Sequence, residues 1–228
     1  MERINARKTI LVPLISFTLV FIALKLFPEI SIFPGKTALI PAITCYILGF
    51  SISIYCCKDF LQAQWKDFSQ LKSTKYLWIL AGYVLTILIT TLSRKAVLLI
   101  FPTDSGALAE DSANPQIWML LLSSLLPLLA PLYEELVFRH ALFKQVATST
   151  IAKILMALVS SIAFGLIHYS NLGSIIGTIP YMLVGLFFCW IYYKTNNIFY
   201  SIFVHLLLNW INTFMGIIGL LALSLING

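Results

Sequence analysis

The stretch Pro131–Phe143, PLYEELVFRHALF, sets two carboxylates, an arginine and a histidine inside an otherwise hydrophobic sequence. Ionisable groups at membrane depth are expensive, and by default they mark a functional site with a partner that offsets the cost. Whether this stretch lies in a membrane is decided by the rest of the chain. Of its 228 residues, 60% are hydrophobic and 11% charged, and the mean hydropathy is +0.93. A soluble domain carries roughly 25% charged residues. The composition therefore defines an all-α, polytopic transmembrane helix bundle. At about 20 apolar residues per crossing, the length accommodates six to eight spans in one membrane domain, residues 1–228.

Working outward from the charged stretch, the apolar runs place spans at 9–27, 37–57, 76–100, 117–143, 150–168, 174–193 and 198–226, about seven in all. The last is long enough to bend or break at Gly216 or Gly219. With the N-terminus cytoplasmic, Arg3, Arg7, Lys8, Lys58, Lys66, Lys72, Lys75, Arg139, Lys144, Lys153 and Lys194 fall inside, and Lys25, Lys36, Arg94 and Lys95 outside. This is the bias the positive-inside rule asks for. The formal charge of +6 is scattered at the ends of apolar runs, where topology and anionic headgroups account for it, so no nucleic-acid partner is expected. The expected partners are membrane lipids and a peptide or protein substrate, and oligomeric state is not legible.

Cys45, Cys56, Cys57 and Cys189 form no CxxC or Cys/His spacing and read as small buried hydrophobes. The basic N-terminus ahead of a long apolar run reads as an uncleaved first span rather than a signal peptide. Segment 58–75, KDFLQAQWKDFSQLKSTK, carries Phe60, Leu61, Trp65, Phe68 and Leu71 at roughly one-turn spacing. It is either a helix along the inner membrane surface or a solvated loop with aromatic anchors. Segment 101–116, with Asp104, Glu110 and Asp111, reads as a connector. Trp65, Trp78, Trp118, Trp190 and Trp210 lie mostly near span ends, as belt residues do.

Polar groups inside the spans fall on three helices: Glu134, Glu135 and Arg139 on the fourth, His168 near the end of the fifth, and His205 with Asn209 on the seventh. Helix bundles build sites in this way, from side chains turned toward one interior point. Residues four apart share a helix face whereas neighbours point about 100° apart. Glu135 and Arg139 therefore form a pair, with the acid in the better, N-terminal position, and Glu134 is left on another face without a local cation. His205 and Asn209 share a face, as do Phe164 and His168. A carboxylate and an imidazole around a water can deprotonate it, and a second His with an Asn amide can donate hydrogen bonds to an oxyanion. The same residues permit a second version, in which Glu134, His168 and His205 hold a divalent metal such as zinc with water in its open position. The sequence leaves both open, so the cofactor is either none or a metal. Depth is a difficulty for either. At about 1.5 Å per residue, Glu134 lies on the order of 14–18 Å from the inner end of its helix, His168 about 27 Å and His205 about 11 Å.

At these residues the sequence resembles the CAAX protease and bacteriocin-processing (CPBP) family of intramembrane endopeptidases, which includes the type II CAAX prenyl endopeptidases. Three motifs stand in order: EExxxR as Glu134-Glu135-Leu136-Val137-Phe138-Arg139, FxxxH as Phe164-Gly165-Leu166-Ile167-His168, and HxxxN as His205-Leu206-Leu207-Leu208-Asn209. The resemblance covers residues 117–210, which it implies are a catalytic core of four helices, and the first hundred residues contribute only spans. It implies a bundle with a cavity open to the cytosol, in which Glu134 and His168 activate water, His205 and Asn209 stabilise the oxyanion, and Glu135, Arg139 and Phe164 give support. It also implies an integral protein of a bacterial plasma membrane acting in bacteriocin immunity or peptide maturation.

Plainer readings stand beside each residue. The Glu pair suits a headgroup-solvated helix end, His168 an interfacial histidine, and His205 and Asn209 interhelical hydrogen bonds. Phe164 suits packing, and His140, outside every motif, an interfacial position. The functional alternative is accordingly a non-catalytic membrane scaffold or immunity protein. A secondary transporter is weaker, since neither repeated halves nor paired broken helices are present.

Overall fold

The computed structural model describes residues 2–26, 39–102, 117–145 and 149–227. Helices stand at all seven expected runs: α1 (Glu2–Leu26), α2 (Leu39–Cys56), α4 (Thr74–Ile100), α5 (Ile117–Glu134) continuing into a π-helix (Glu135–Lys144), α6 (Thr150–Leu166), α8 (Ile179–Thr195) and α9 (Ile198–Asn227). Two shorter helices fill connections, α3 (Lys58–Gln70) and the single turn α7 (Tyr169–Leu172). Among the described residues, three helices are long and apolar enough to cross a membrane: Thr74–Ile100, Ile176–Thr195 and Ile198–Gly219. Ile43–Cys56 with Lys58–Gln70 makes a fourth if the bent pair is one span, and Lys8–Leu24 and Thr150–Leu166 are shorter apolar helices. α9 runs through Gly216 and Gly219 without a break. The connector with Asp104, Glu110 and Asp111 lies outside the described residues.

Large apolar side chains cover the outer surface, including Leu77, Trp78 and Leu80 on α4 and Ile151, Ile154 and Leu155 on α6. A soluble monomer does not expose such a continuous apolar face, whereas lipid solvates it. Inside, Tyr133, Val137, Phe138, Phe164, Phe188 and Val204 form the core where α5, the π-helix, α6, α8 and α9 meet. The α6–α8 contact depends on small residues. A Cβ on Gly165 would stand 3.0 Å from Met182 N and 3.1 Å from Thr178 O, so the backbones approach as closely as glycine allows.

Segment 58–75 resolves toward the helical alternative. α3 turns 71° from α2 and packs Trp65 and Phe68 against Phe199 and Phe203 of α9. Gln64 ties it there: its Oε1 accepts from Ile198 N at 3.0 Å and its backbone O accepts from Asn197 Nδ2 at 2.8 Å. The first of these satisfies one of the backbone donors that every helix start leaves free. Lys75, counted among the basic loop residues, is buried and donates to the Phe68 and Ser69 carbonyls at the end of α3, where a helix end presents unpaired acceptors.

Candidate active site

The site is built on the transition from α5 to the π-helix. Pro131 lacks an N–H, so the carbonyl of Pro127, four residues earlier, has no intrahelical donor. Asn209 of α9 supplies one, Nδ2 to Pro127 O at 3.0 Å. From Glu135 the backbone widens to i→i+5 bonding, closing with Gln145 N on His140 O at 3.1 Å. Such π turns collect at functional sites because they re-aim side chains and leave backbone groups to be satisfied from elsewhere. Ser160 of α6 meets one of them, donating to Phe138 O at 2.7 Å.

Glu135 and Arg139 are fully buried and pair at 3.3 Å, Nε to Oε2. The arginine is enclosed by aromatic faces, with its guanidinium 4.2 Å from the Phe164 ring centre and 5.2 Å from that of Phe188. Its Nη2 donates to Gly185 O at 3.4 Å. The other oxygen of Glu135, Oε1, lies 3.0 Å from His205 Nδ1. Glu135 thus bridges Arg139 and His205 and fixes the imidazole, a connection between helices that no local spacing could reveal. Phe164 lies at the centre, stacking on Arg139 and edge-on to both His168 and His205. It packs as expected while touching three of the polar residues.

Glu134 has different surroundings. Its Oε2 is buried without a hydrogen-bond partner among the described residues and stands 3.7 Å from His205 Nε2. It faces a cavity of about 960 Å³ whose wall also carries His168, His205 and Asn209, so the four residues named from sequence line one space despite the spread in depth. His168 reaches it from the turn after α6. Its Nδ1 is 2.9 Å from Phe164 O, and its ring stacks on Tyr181 at 4.2 Å. Among the described residues, no three His, Cys, Asp or Glu side chains are placed to hold a metal ion together.

Several wall residues carried no signal in the sequence. Arg94, assigned to the outer end of α4, lines the cavity and donates from Nη2 to Tyr181 Oη at 3.0 Å. Tyr46 and Phe17 come from α2 and α1, so the first hundred residues contribute more than spans. His140 is corrected outright. It is 1% exposed rather than interfacial, stacked on Phe60 at 3.8 Å, with neither ring nitrogen hydrogen-bonded among the described residues.

Fold and site together define the class, a helical membrane bundle with a carboxylate and two imidazoles around an internal cavity. Residues 115–211 match the family model described as Type II CAAX prenyl endopeptidase Rce1-like, and this segment is similar to that family. A protein of Mycoplasma capricolum subsp. capricolum, named only as uncharacterized, is 35% identical over 105 residues, which are 46% of this chain and 30% of that one. UPF0177 protein YxdF of Lactococcus lactis subsp. lactis is 29% identical over 118 residues, 52% of this chain and 62% of that one. Each match covers less than two thirds of the relative. No solved structure matches the chain.

Proposed function

We propose that the protein is an intramembrane endopeptidase that hydrolyses a peptide bond of a membrane-associated peptide or protein with a water activated by Glu134. The observation that carries this reading is the unpartnered Glu134 Oε2, buried at the cavity wall with His205 Nε2 3.7 Å away. A water between two acceptors can donate to both, which polarises it toward hydroxide. Water oxygen adds to the scissile carbonyl carbon, the water proton passes to Glu134, and the carbonyl π pair moves onto oxygen. Collapse of that intermediate breaks the C–N bond, and the departing amine takes the proton. His168 faces the same cavity and serves with Glu134 in holding the water. His205, set by Glu135 at Nδ1, presents Nε2 to the reacting centre, as an acceptor when neutral and as a donor to the oxyanion when doubly protonated. Asn209 is the second expected donor to the oxyanion. The setting is a bacterial plasma membrane, and a peptide undergoing maturation or a bacteriocin-type peptide suits the apolar cavity.

Comparison of peptide termini in membranes carrying wild-type protein and Glu134→Gln tests the reading. A set of termini that disappears with the carboxylate is expected, and identical termini in both would sink proteolysis. One observation favours the alternative of a non-catalytic scaffold: the Asn209 amide is already engaged by Pro127 O, as a purely structural asparagine would be. Full biological activity in the alanine variants of Glu134, His168 and His205 would establish that alternative.

A further inference from the structure

α2 contributes a second unpartnered polar group to the same cavity. Tyr46 is 6% exposed, and its hydroxyl has no hydrogen-bond partner among the described residues. A buried hydroxyl left unpaired is unfavourable by about 1–3 kcal/mol, so native structures rarely keep one without a use. Tyr133 is the internal comparison. The two rings meet edge-on, centroids 5.5 Å apart at 80°, yet Tyr133 Oη donates to Ser16 Oγ at 2.9 Å, and Ser16 is in turn joined to Ser53 of α2 at 2.7 Å. That network fastens α1, α2 and α5. Tyr46 sits about two turns before Ser53 on α2 and takes no part in it. Gly49, between them, lets the helices close, since a Cβ there would stand 2.6 Å from Val20 and 2.9 Å from Tyr133 Oη. Tyr46 is packed against Tyr133 and forms part of the cavity wall together with Glu134, Ala130, Pro127 and His205.

Charge development at this wall needs a donor. Asn209, expected for that work, gives an amide hydrogen to the carbonyl that Pro131 leaves open. We propose that the Tyr46 hydroxyl donates a hydrogen bond to the scissile carbonyl oxygen as it becomes an oxyanion, which makes Tyr46 a catalytic residue from outside the family-matched segment. The phenol keeps its proton throughout. As water adds, negative charge moves onto the carbonyl oxygen and the Tyr46 O–H bond is aimed at it. When the C–N bond breaks, the charge returns to the carbonyl and the hydrogen bond weakens. Donors placed in advance for the charged state act most strongly in a site shielded from water. This inference rests on the proposed peptidase reading and adds a residue to it.

Tyr46→Phe is the test, with Glu134→Gln as reference, using the purified full chain in lipid nanodiscs and a pool of internally quenched apolar peptides. The expected result is kcat lower by about a hundredfold to a thousandfold, as for loss of one oxyanion donor, with KM within about twofold of wild type. The pH–rate profile keeps its shape and the melting temperature is unchanged or higher, since an unpartnered hydroxyl has been removed. Glu134-dependent cleavage that persists undiminished in Tyr46→Phe overturns the inference and leaves the peptidase reading intact. A displaced acidic limb also overturns it, because the hydroxyl would then be holding the Glu134 carboxylate. A lowered melting temperature overturns it too, showing a structural partner. Absence of any Glu134-dependent cleavage by wild type overturns the peptidase reading and this inference with it.

Discussion

Glu134 and Glu135 are neighbours in the chain with opposite surroundings. Behind the π-helix, Glu135 is at the centre of a closed set of contacts with Arg139, His205 and the Phe164 and Phe188 rings. In front of it, Glu134 faces the cavity with one oxygen unpartnered. The packed side sets its charges against one another, with Glu135 Oε2 and Arg139 Nε in an ion pair rather than a hydrogen bond, which fixes geometry, and the open side keeps its carboxylate at the cavity wall. Stability should therefore depend on the first and activity on the second, and substitutions that separate the two properties test the contrast.

The largest effect is expected on the open side. Glu134→Gln preserves shape and removes the base, so peptide hydrolysis should fall about 10²–10⁴-fold. Its melting temperature should stay close to wild type, because Glu134 Oε2 makes no hydrogen bond among the described residues and loses only the 3.7 Å approach of His205 Nε2. A comparable loss of stability would mean that the two sides are not distinct. On the packed side, Arg139→Ala leaves the Glu135 charge buried without its cation, and breaking such a pair typically costs about 3–5 kcal/mol. Thermal unfolding in detergent measures it. Replacing both partners by apolar residues, Glu135→Leu with Arg139→Met, should recover much of the stability without full activity, since His205 Nδ1 loses its carboxylate in the double variant. Recovery of hydrolysis in the double variant would show that Glu135 does not position the imidazole.

Asn209 stands between the two sides and sharpens the comparison at smaller magnitude. Asn209→Ala strands the Pro127 carbonyl and should destabilise by about 1–3 kcal/mol. Adding Pro131→Ala returns the missing N–H four residues on, so stability should come back in the double variant. If hydrolysis returns with it, Asn209 is a helix clamp and Tyr46 is left as the donor to the oxyanion. If hydrolysis stays low, Asn209 also touches the reacting oxygen.

How far the sequence carried this picture can be read from the same residues. Apolar run length announced the helices, and i,i+4 spacing announced the Glu135–Arg139 pair, because both are local properties. The bond from Asn209 to Pro127 was half legible: Pro131 four residues after Pro127 guarantees an open carbonyl, although nothing names the donor. The π register beyond Glu134 was not legible, since its widened turn is held by Ser160 from another helix. The concern over depth came from treating each span as an upright α-helix, and the cavity is instead reached by His168 from a turn beyond the end of α6. Tyr46 was invisible as a site residue because a lone aromatic in mid-span reads as packing, and Arg94 because a basic residue near a span end has an ordinary interfacial explanation.

The smallest expected effect concerns the far wall of the cavity. Tyr181 stacks on His168 with rings inclined at 18°, and its hydroxyl accepts a hydrogen bond from Arg94, which also lines the cavity. Those two contacts separate cleanly. Tyr181→Phe keeps the stack and loses only an exposed hydrogen bond, for which about 0.5 kcal/mol or less is expected and a correspondingly small change in kcat/KM. Tyr181→Ala removes the ring that sets the His168 plane, an aromatic contact worth about 0.5–1.5 kcal/mol beyond its buried area. That loss should appear mainly in kcat, because a misaligned imidazole affects the transition state more than substrate binding. Equal losses in the two variants would assign the effect to the hydroxyl and Arg94, and would place a polar contact of the open side where the structure shows a stacked ring.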